Sequence, residues 1–211
     1  FALRAEGTRA FRPTQPLRLL ARAVLLFSAT FLFFQSLKYL PIADALAIFF
    51  VNPLVIVVLS ALLLRERVGP RRWAAVAVGF IGTLIIIRPG LVEVNAGTVL
   101  ALASGVALGS YLVLTRSMAG AADAMVMNFQ TSVLGAALMT LALPFLWQTP
   151  SPQQWVMLAG LGAIAMLGHI LITKAYEHGE ASLLAPLAFT EIIAASILGY
   201  VFFGDLPDGW T

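Results

Sequence analysis

Two short stretches place polar chemistry where an apolar chain should have none. FTEII at 189–193 carries a carboxylate, Glu191, about ten residues into an apolar run. FFVNPL at 49–54 sets Asn52 and Pro53 near the middle of another such run, ALAIFFVNPLVIVVLSALLL. An ionisable group in hydrocarbon costs about 3 kcal/mol or more, so it is kept where a water-filled path, a solute or a protein partner offsets that cost. Glu191 therefore suits solute or proton binding, and the alternative is a protonated or hydrogen-bonded carboxyl holding helices together. Pro53 has no N–H for the carbonyl of Phe49 and its ring crowds that carbonyl, so the helix must kink. The amide of Asn52 can bond the freed carbonyl or a solute. The pair either lines a cavity or is a plain structural kink.

Further candidates are weaker. Asn128, Gln130, Thr131 and Ser132 form a polar cluster unusual for a lipid-spanning segment, and some of it must face the protein interior. His169 could relay protons, or it could be an interfacial or helix-bonded histidine. Tyr111, Tyr200 and Gln35 could line a path, although aromatic packing accounts for the tyrosines equally well. His-Glu-x-x-His, Gly-x-Ser-x-Gly and Gly-x-x-x-x-Gly-Lys are all missing from the sequence, and so is cysteine. No cofactor or metal is implied, and an integral membrane enzyme is poorly served.

The elements that must carry these residues are membrane helices. Hydrophobic residues make up 60% of the 211 and charged residues 11%, too few to clothe a water-soluble domain of this size. The partner is a lipid bilayer. Its hydrocarbon core of about 30 Å needs about 20 helical residues. Seven candidate spans follow: A at 19–37, B at 45–64, C at 73–87, D at 97–115, E at 125–147, F at 153–173 and G at 182–203. Short turn-rich linkers leave no room for a soluble domain between them. Small residues at four-residue spacing, Ala75/Gly79/Thr83 on C and Ala101/Gly105/Gly109 on D, predict close helix packing. Trp73, Trp147, Trp155 and Trp210 stand at span ends, as in an interfacial belt.

Charge sets an orientation. Alternate loops collect Arg4, Arg9, Arg12, Arg18, Arg22, Arg65, Arg67, Arg71, Arg72, Arg116 and Lys174 on one side, against Lys38 and Arg88 on the other. The richer side is expected to be cytoplasmic. The net charge of +3 is thus a topology signal, not a nucleic-acid footprint. The N-terminal FALRAEGTRAFRP reads as the end of a helix that begins upstream, and GDLPDGWT stops where another span could start, so the sequence reads as part of a longer chain.

The chain also repeats itself. Tyr39, Asp44, Ala45, an apolar span and Glu66 recur as Tyr176, Glu180, Ala181, an apolar span and Asp205. This alignment sets Asn52 opposite Glu191, and the second copy has its own proline at Pro186. Span B thus corresponds to span G, five spans later, and an odd period inverts the second copy in the membrane. Inverted repeats with interrupted helices at matching places point to a secondary transporter and its site.

The stretch SLKYLPIADALAIFFVNPLVIVVLSALLLRERVGPRRWAAVAVGFIGTLIIIRPG resembles the EamA-like domain of the drug/metabolite transporter superfamily. Its Tyr-x-Pro-x-Ala-x-Ala turn, mid-span proline, Arg-Glu pair, Arg-Trp, Gly-Phe-x-Gly and Arg-Pro-Gly follow the family order. AYEHGEASLLAPLAFTEIIAASILGYVFFGD is similar to the partner domain, with Ile192 where a proline often follows the glutamate and Asp205 where glutamate is usual. The break in span G then falls at Glu191 or earlier, at Pro186.

The resemblance implies an all-α integral membrane protein, a bundle of inverted five-helix repeats in a ten-helix fold. Residues 1–90 would hold the last three spans of the first repeat and residues 91–211 the first four of the second. It implies a secondary carrier moving a small metabolite, amino acid or drug-like solute across the bacterial inner membrane by alternating access, with proton coupling open. A monomer and a dimer are both compatible. A non-transporting scaffold or regulatory membrane protein is the alternative.

Overall fold

The computed structural model describes residues 15–40, 42–87, 95–191 and the single positions 193, 194, 197 and 201. Among the described residues the regular structure is entirely helical: α1 (Pro16–Ser36), α2 (Ile42–Phe49), α3 (Asn52–Leu63), α4 (Pro70–Ile87), α5 (Ala96–Ser117), α6 (Ala124–Leu146), α7 (Pro152–His178), α8 (Ala181–Leu184) and a 3₁₀ stretch, Ala185–Phe189. The ranges Pro16–Ser36, Asp44–Leu63, Ala96–Ser117 and Pro152–His178 are long and apolar enough to cross a bilayer.

Local chemistry explains the boundaries. Proline opens α1, α4 and α7 at positions where its missing N–H has no helical partner to lose. The Asn95 carboxamide oxygen accepts from the N–H groups of Gly97 and Thr98, at 2.8 and 3.2 Å, and so caps α5. Ser151 and Gln154 exchange side-chain and backbone bonds at the start of α7, a capping box. Span F runs on past the expected residue 173 to His178. Arg116 accounts for the extra turn by donating to the terminal carbonyls of Tyr176 and Glu177, at 2.9 and 3.2 Å.

The chain packs as two units that cut across its order. One comprises residues 1–27 and 114–178, the other 28–113 and 179–211. In the first, Leu19, Met118 and Met127 are buried together, with Leu114 and Leu134 against them. In the second, Leu40, Ala45 and Ala101 form the core, flanked by Phe33, Leu37 and Ile48. The small-residue row on span D packs as the spacing predicts, whereas on span C Gly79 is closely packed and Ala75 is exposed. A Cβ on Gly105 would lie 2.5 Å from the carbonyl oxygen of Phe49, and one on Gly109 would lie 3.0 Å from that of Asn52. A Cβ on Gly79 would strike the ring of Phe189. Backbones approach this closely only where side chains are absent.

Candidate functional site

In the second unit, spans B and G are both interrupted. Span B breaks at Phe50–Val51, between α2 and α3, with Pro53 in the first turn of α3. Asn52 is 2% exposed, and its amide donates to the carbonyl of Phe49 at 3.1 Å, the carbonyl that Pro53 leaves without a helical donor. Span G breaks at Pro186, where α8 tightens into the 3₁₀ stretch, and helix resumes at Thr190 and Glu191. Of the two places left open by the sequence, the described residues show an interruption at Pro186, and Ile192 beside Glu191 lies outside them.

The two interruptions meet. The ring of Phe50 stacks on that of Phe189 with centroids 6.0 Å apart and planes 24° from parallel. Gly79 of α4 makes room for the Phe189 ring. Glu191 follows two residues later with its side chain exposed, beside Ile193 and Ile197, also exposed. Tyr111, on α5 of the same unit, is fully buried. Gln35 near the end of α1 is half-buried. Tyr200 and Trp210 lie outside the described residues.

A contact that sequence reasoning missed ties the entrance of span G to the loop after span B. Helix α3 ends where Arg65 adopts a left-handed backbone, φ 55°, and the N–H of Glu66 turns back to the carbonyl of Ser60 at 3.2 Å. The Glu66 carboxylate then accepts from the N–H groups of Ala181 and Ser182, both at 3.0 Å. Arg72, in the first turn of α4, pairs with Glu180 and donates to the Ser182 hydroxyl at 2.8 Å. The only sequence signal was the Arg65-Glu66 pair, and it carries no hint of a partner 115 residues away.

The first unit holds the remaining polar candidates around a residue counted from sequence only as a flanking cation. Arg22 is fully buried. Its Nε donates to Thr115 at 2.9 Å, Nη1 to Thr131 and to the Met127 carbonyl at 3.2 Å, and Nη2 to Asn128 and Thr173 at 3.0 and 3.1 Å. Those acceptors match the five N–H groups of a guanidinium. Asn128 also donates to Thr173 at 2.8 Å and to the His169 carbonyl at 3.3 Å. His169 and Gln130 are half-buried, and Ser132 is exposed. The spacing of Asn128 and Thr131 on one helix face was the available signal, but the cation they serve was not legible.

Sequence comparison extends the picture. The pattern of the EamA-like transporter family matches residues 1–88 and 95–211, nearly the whole chain. The chain belongs to the EamA-like transporter family. This family member is similar to the riboflavin transporter of Vibrio cholerae, 31% identical over 84% of this chain and 60% of that one. It is also similar to the S-adenosylmethionine uptake transporter of Rickettsia prowazekii, 23% identical over 97% of this chain and 70% of that one. A crystal structure with 26% identity superposes at a TM-score of 0.81, covering 99% of this chain and 75% of that chain. The EamA-like chain thus spans 60% to 75% of the length of these relatives. Its long apolar helices make it a multi-pass membrane protein.

Proposed function

We propose that this chain forms the greater part of a secondary carrier, which moves a small metabolite through a path at the crossing of spans B and G by alternating access. The observation that carries the reading is the stack of Phe50 on Phe189. The alignment that sets Asn52 opposite Glu191 sets these two rings opposite each other as well. Equivalent positions of two inverted repeats touch where an axis relating the repeats would pass, and solute sites of such carriers lie at the repeat interface between interrupted helices. A scaffold has no use for two broken helices crossing at their breaks.

Glu191 is the ionisable group of this site. Its exposed carboxyl cannot rest against hydrocarbon at small cost, so the face of span G that bears it lines a water-accessible path or meets a protein partner. Asn52 keeps the break in span B closed on itself, which leaves Glu191 as the group available to solute or proton. Basic loops, among them 65–72, face the cytoplasm, and the membrane is the bacterial inner membrane.

Riboflavin and S-adenosylmethionine are the first solutes to test, because the relatives are transporters of those compounds. The full-length protein in liposomes is expected to accumulate one of a panel of labelled metabolites, with and without an imposed pH gradient. Glu191→Gln should lower that flux by about tenfold or more, the loss of a charge-assisted contact worth about 1.5–3 kcal/mol. Undiminished flux in E191Q removes Glu191 from the mechanism, and a protein that moves no solute removes the carrier reading.

A further inference from the structure

We infer that Glu66 and Arg72 are positioning residues that latch the entrance of span G, and that the latch must open each time the carrier changes the side on which its path is accessible. The inference rests on the carrier reading above. Its geometry rests only on the second unit.

Three observations point the same way. The first is what the latch holds. Glu66 takes both N–H groups that begin α8, Ala181 and Ser182, while Arg72 takes Glu180 and the Ser182 hydroxyl. Residues 180–182 are therefore gripped from two points of one loop, and the grip fixes where span G begins. From there the chain runs without a linker through Pro186 to Phe189 and Glu191. A swing of the first turn would move the 3₁₀ stretch and the carboxyl with it.

The second is how the latch is built. Arg65 holds a left-handed backbone that non-glycine residues avoid at a cost of about 1 kcal/mol, and this turn sets the start of the loop that presents Glu66. Pro70 then restarts helix, so Arg72 stands in the first turn of α4. The loop is fixed at both ends and points at one target.

The third is its strength. The Arg72 and Glu180 side chains are 27% and 45% exposed. An ion pair so open to solvent is weak. A permanent anchor would be dry, as Arg22 is. A contact that must break and re-form within a transport cycle needs this kind of marginal, partly hydrated bonding. Arg72 on α4 and Glu180 before α8 belong to different spans, so relative motion of these spans breaks the bonds without unfolding either helix.

The 211 residues contain no cysteine, so a thiol introduced at Ala185 is the only one among them, and the full-length protein without it measures label taken up elsewhere. Ala185 is 1% exposed, one turn beyond the gripped residues, and is shielded while the latch is closed. The full-length protein carrying Ala185→Cys would be treated in inverted membrane vesicles with a membrane-impermeant charged maleimide. Labelling is expected to be slow in that parent. It should rise about tenfold with Arg72→Glu, a shift of roughly 1.4 kcal/mol toward the open form. The charge exchange R72E/E180R should return it to within about twofold of the parent. Glu66→Gln and Glu180→Gln, which remove charge without reversing it, should each speed labelling, and they stand in for R72E if that variant does not fold.

Unchanged labelling in E66Q and E180Q overturns the latch, as does an exchange variant no slower than R72E. No solute enters this measurement. A protein that transports nothing leaves the labelling result to be judged alone, and an absent latch leaves the carrier reading intact.

Discussion

Truncating Arg22 tests whether a buried cation is held for its hydrogen bonds or for the volume it fills. Arg22 is fully buried, with its N–H groups on Thr115, Thr131, Thr173, Asn128 and the Met127 carbonyl. Hydrogen bonds to charged groups contribute about 1.5–3 kcal/mol each in water-soluble proteins, but polar contacts within membrane bundles average about 0.6 kcal/mol. Against them stands the burial of a cation, which costs several kcal/mol. Most of the partners, moreover, are not stranded by its loss. Thr131 donates to the Met127 carbonyl and Thr173 to the His169 carbonyl, both at 2.8 Å. The Asn128 amide keeps the Ala124 carbonyl at 2.8 Å, and its oxygen lies 3.3 Å from the Thr173 hydroxyl.

Volume should therefore dominate. Arg22→Ala opens a void and is expected to cost about 3 kcal/mol, within the range for truncating a large buried side chain. Arg22→Met refills most of that void and should cost no more than about 1 kcal/mol, since replacing buried charged groups by well-packed apolar ones is often neutral or stabilising. Arg22→Lys keeps a buried charge with three donors radiating from one point, and should fall between them at about 2 kcal/mol. Thermal unfolding in detergent, followed by helical circular dichroism, would show R22A about 6–12 °C below the parent and R22M within about 4 °C. If R22M loses as much as R22A, the hydrogen bonds and not the volume hold this unit together, and the reasoning fails.

The remaining predictions concern the second unit. Asn52→Ala leaves the Phe49 carbonyl without its side-chain donor and should cost about 1–2 kcal/mol. In a Pro53→Ala background the restored N–H can take that carbonyl, so the cost should shrink to less than about 0.5 kcal/mol; equal costs in a double-mutant unfolding cycle would refute the pairing. Gly105→Ala sets a methyl 2.5 Å from the Phe49 carbonyl oxygen, a backbone atom that cannot step aside, and should destabilise by about 1–3 kcal/mol. A melting temperature equal to the parent's would show that α5 and span B do not approach so closely. Arg65→Gly relieves a left-handed residue and should stabilise by about 1 kcal/mol, with a higher melting temperature as the readout and a lower one as its refutation.

How much of this was legible in the sequence depended on how local each cause was. Span positions follow from apolar run length, and the helices begin and end within a few residues of the expected limits for A to E. The tail of span F did not, because Arg116, on another helix, supports its last carbonyls. The break in span B was legible, since a proline always removes one named donor. The break in span G had two candidate places, and the interruption seen at Pro186 goes with packing of Phe189 against Gly79 and Phe50. The polar cluster at Asn128 and Thr131 was visible as a local density. That it closes on Arg22, more than a hundred positions away, was not.

By itself the sequence determined that this chain lives in a membrane, roughly where each helix lies, and which residue types stand in the wrong solvent. Those properties are set by composition, by the length of apolar runs and by proline, all of which act within a turn or two of chain. Only the tertiary structure decided that the two interruptions touch ring to ring, that Glu66 and Arg72 grip the start of span G, and that a flanking arginine is buried. Each of those pairs residues far apart along the chain. Hydrogen-bond geometry and close packing choose among distant partners, and nothing in a single sequence states the distance between them.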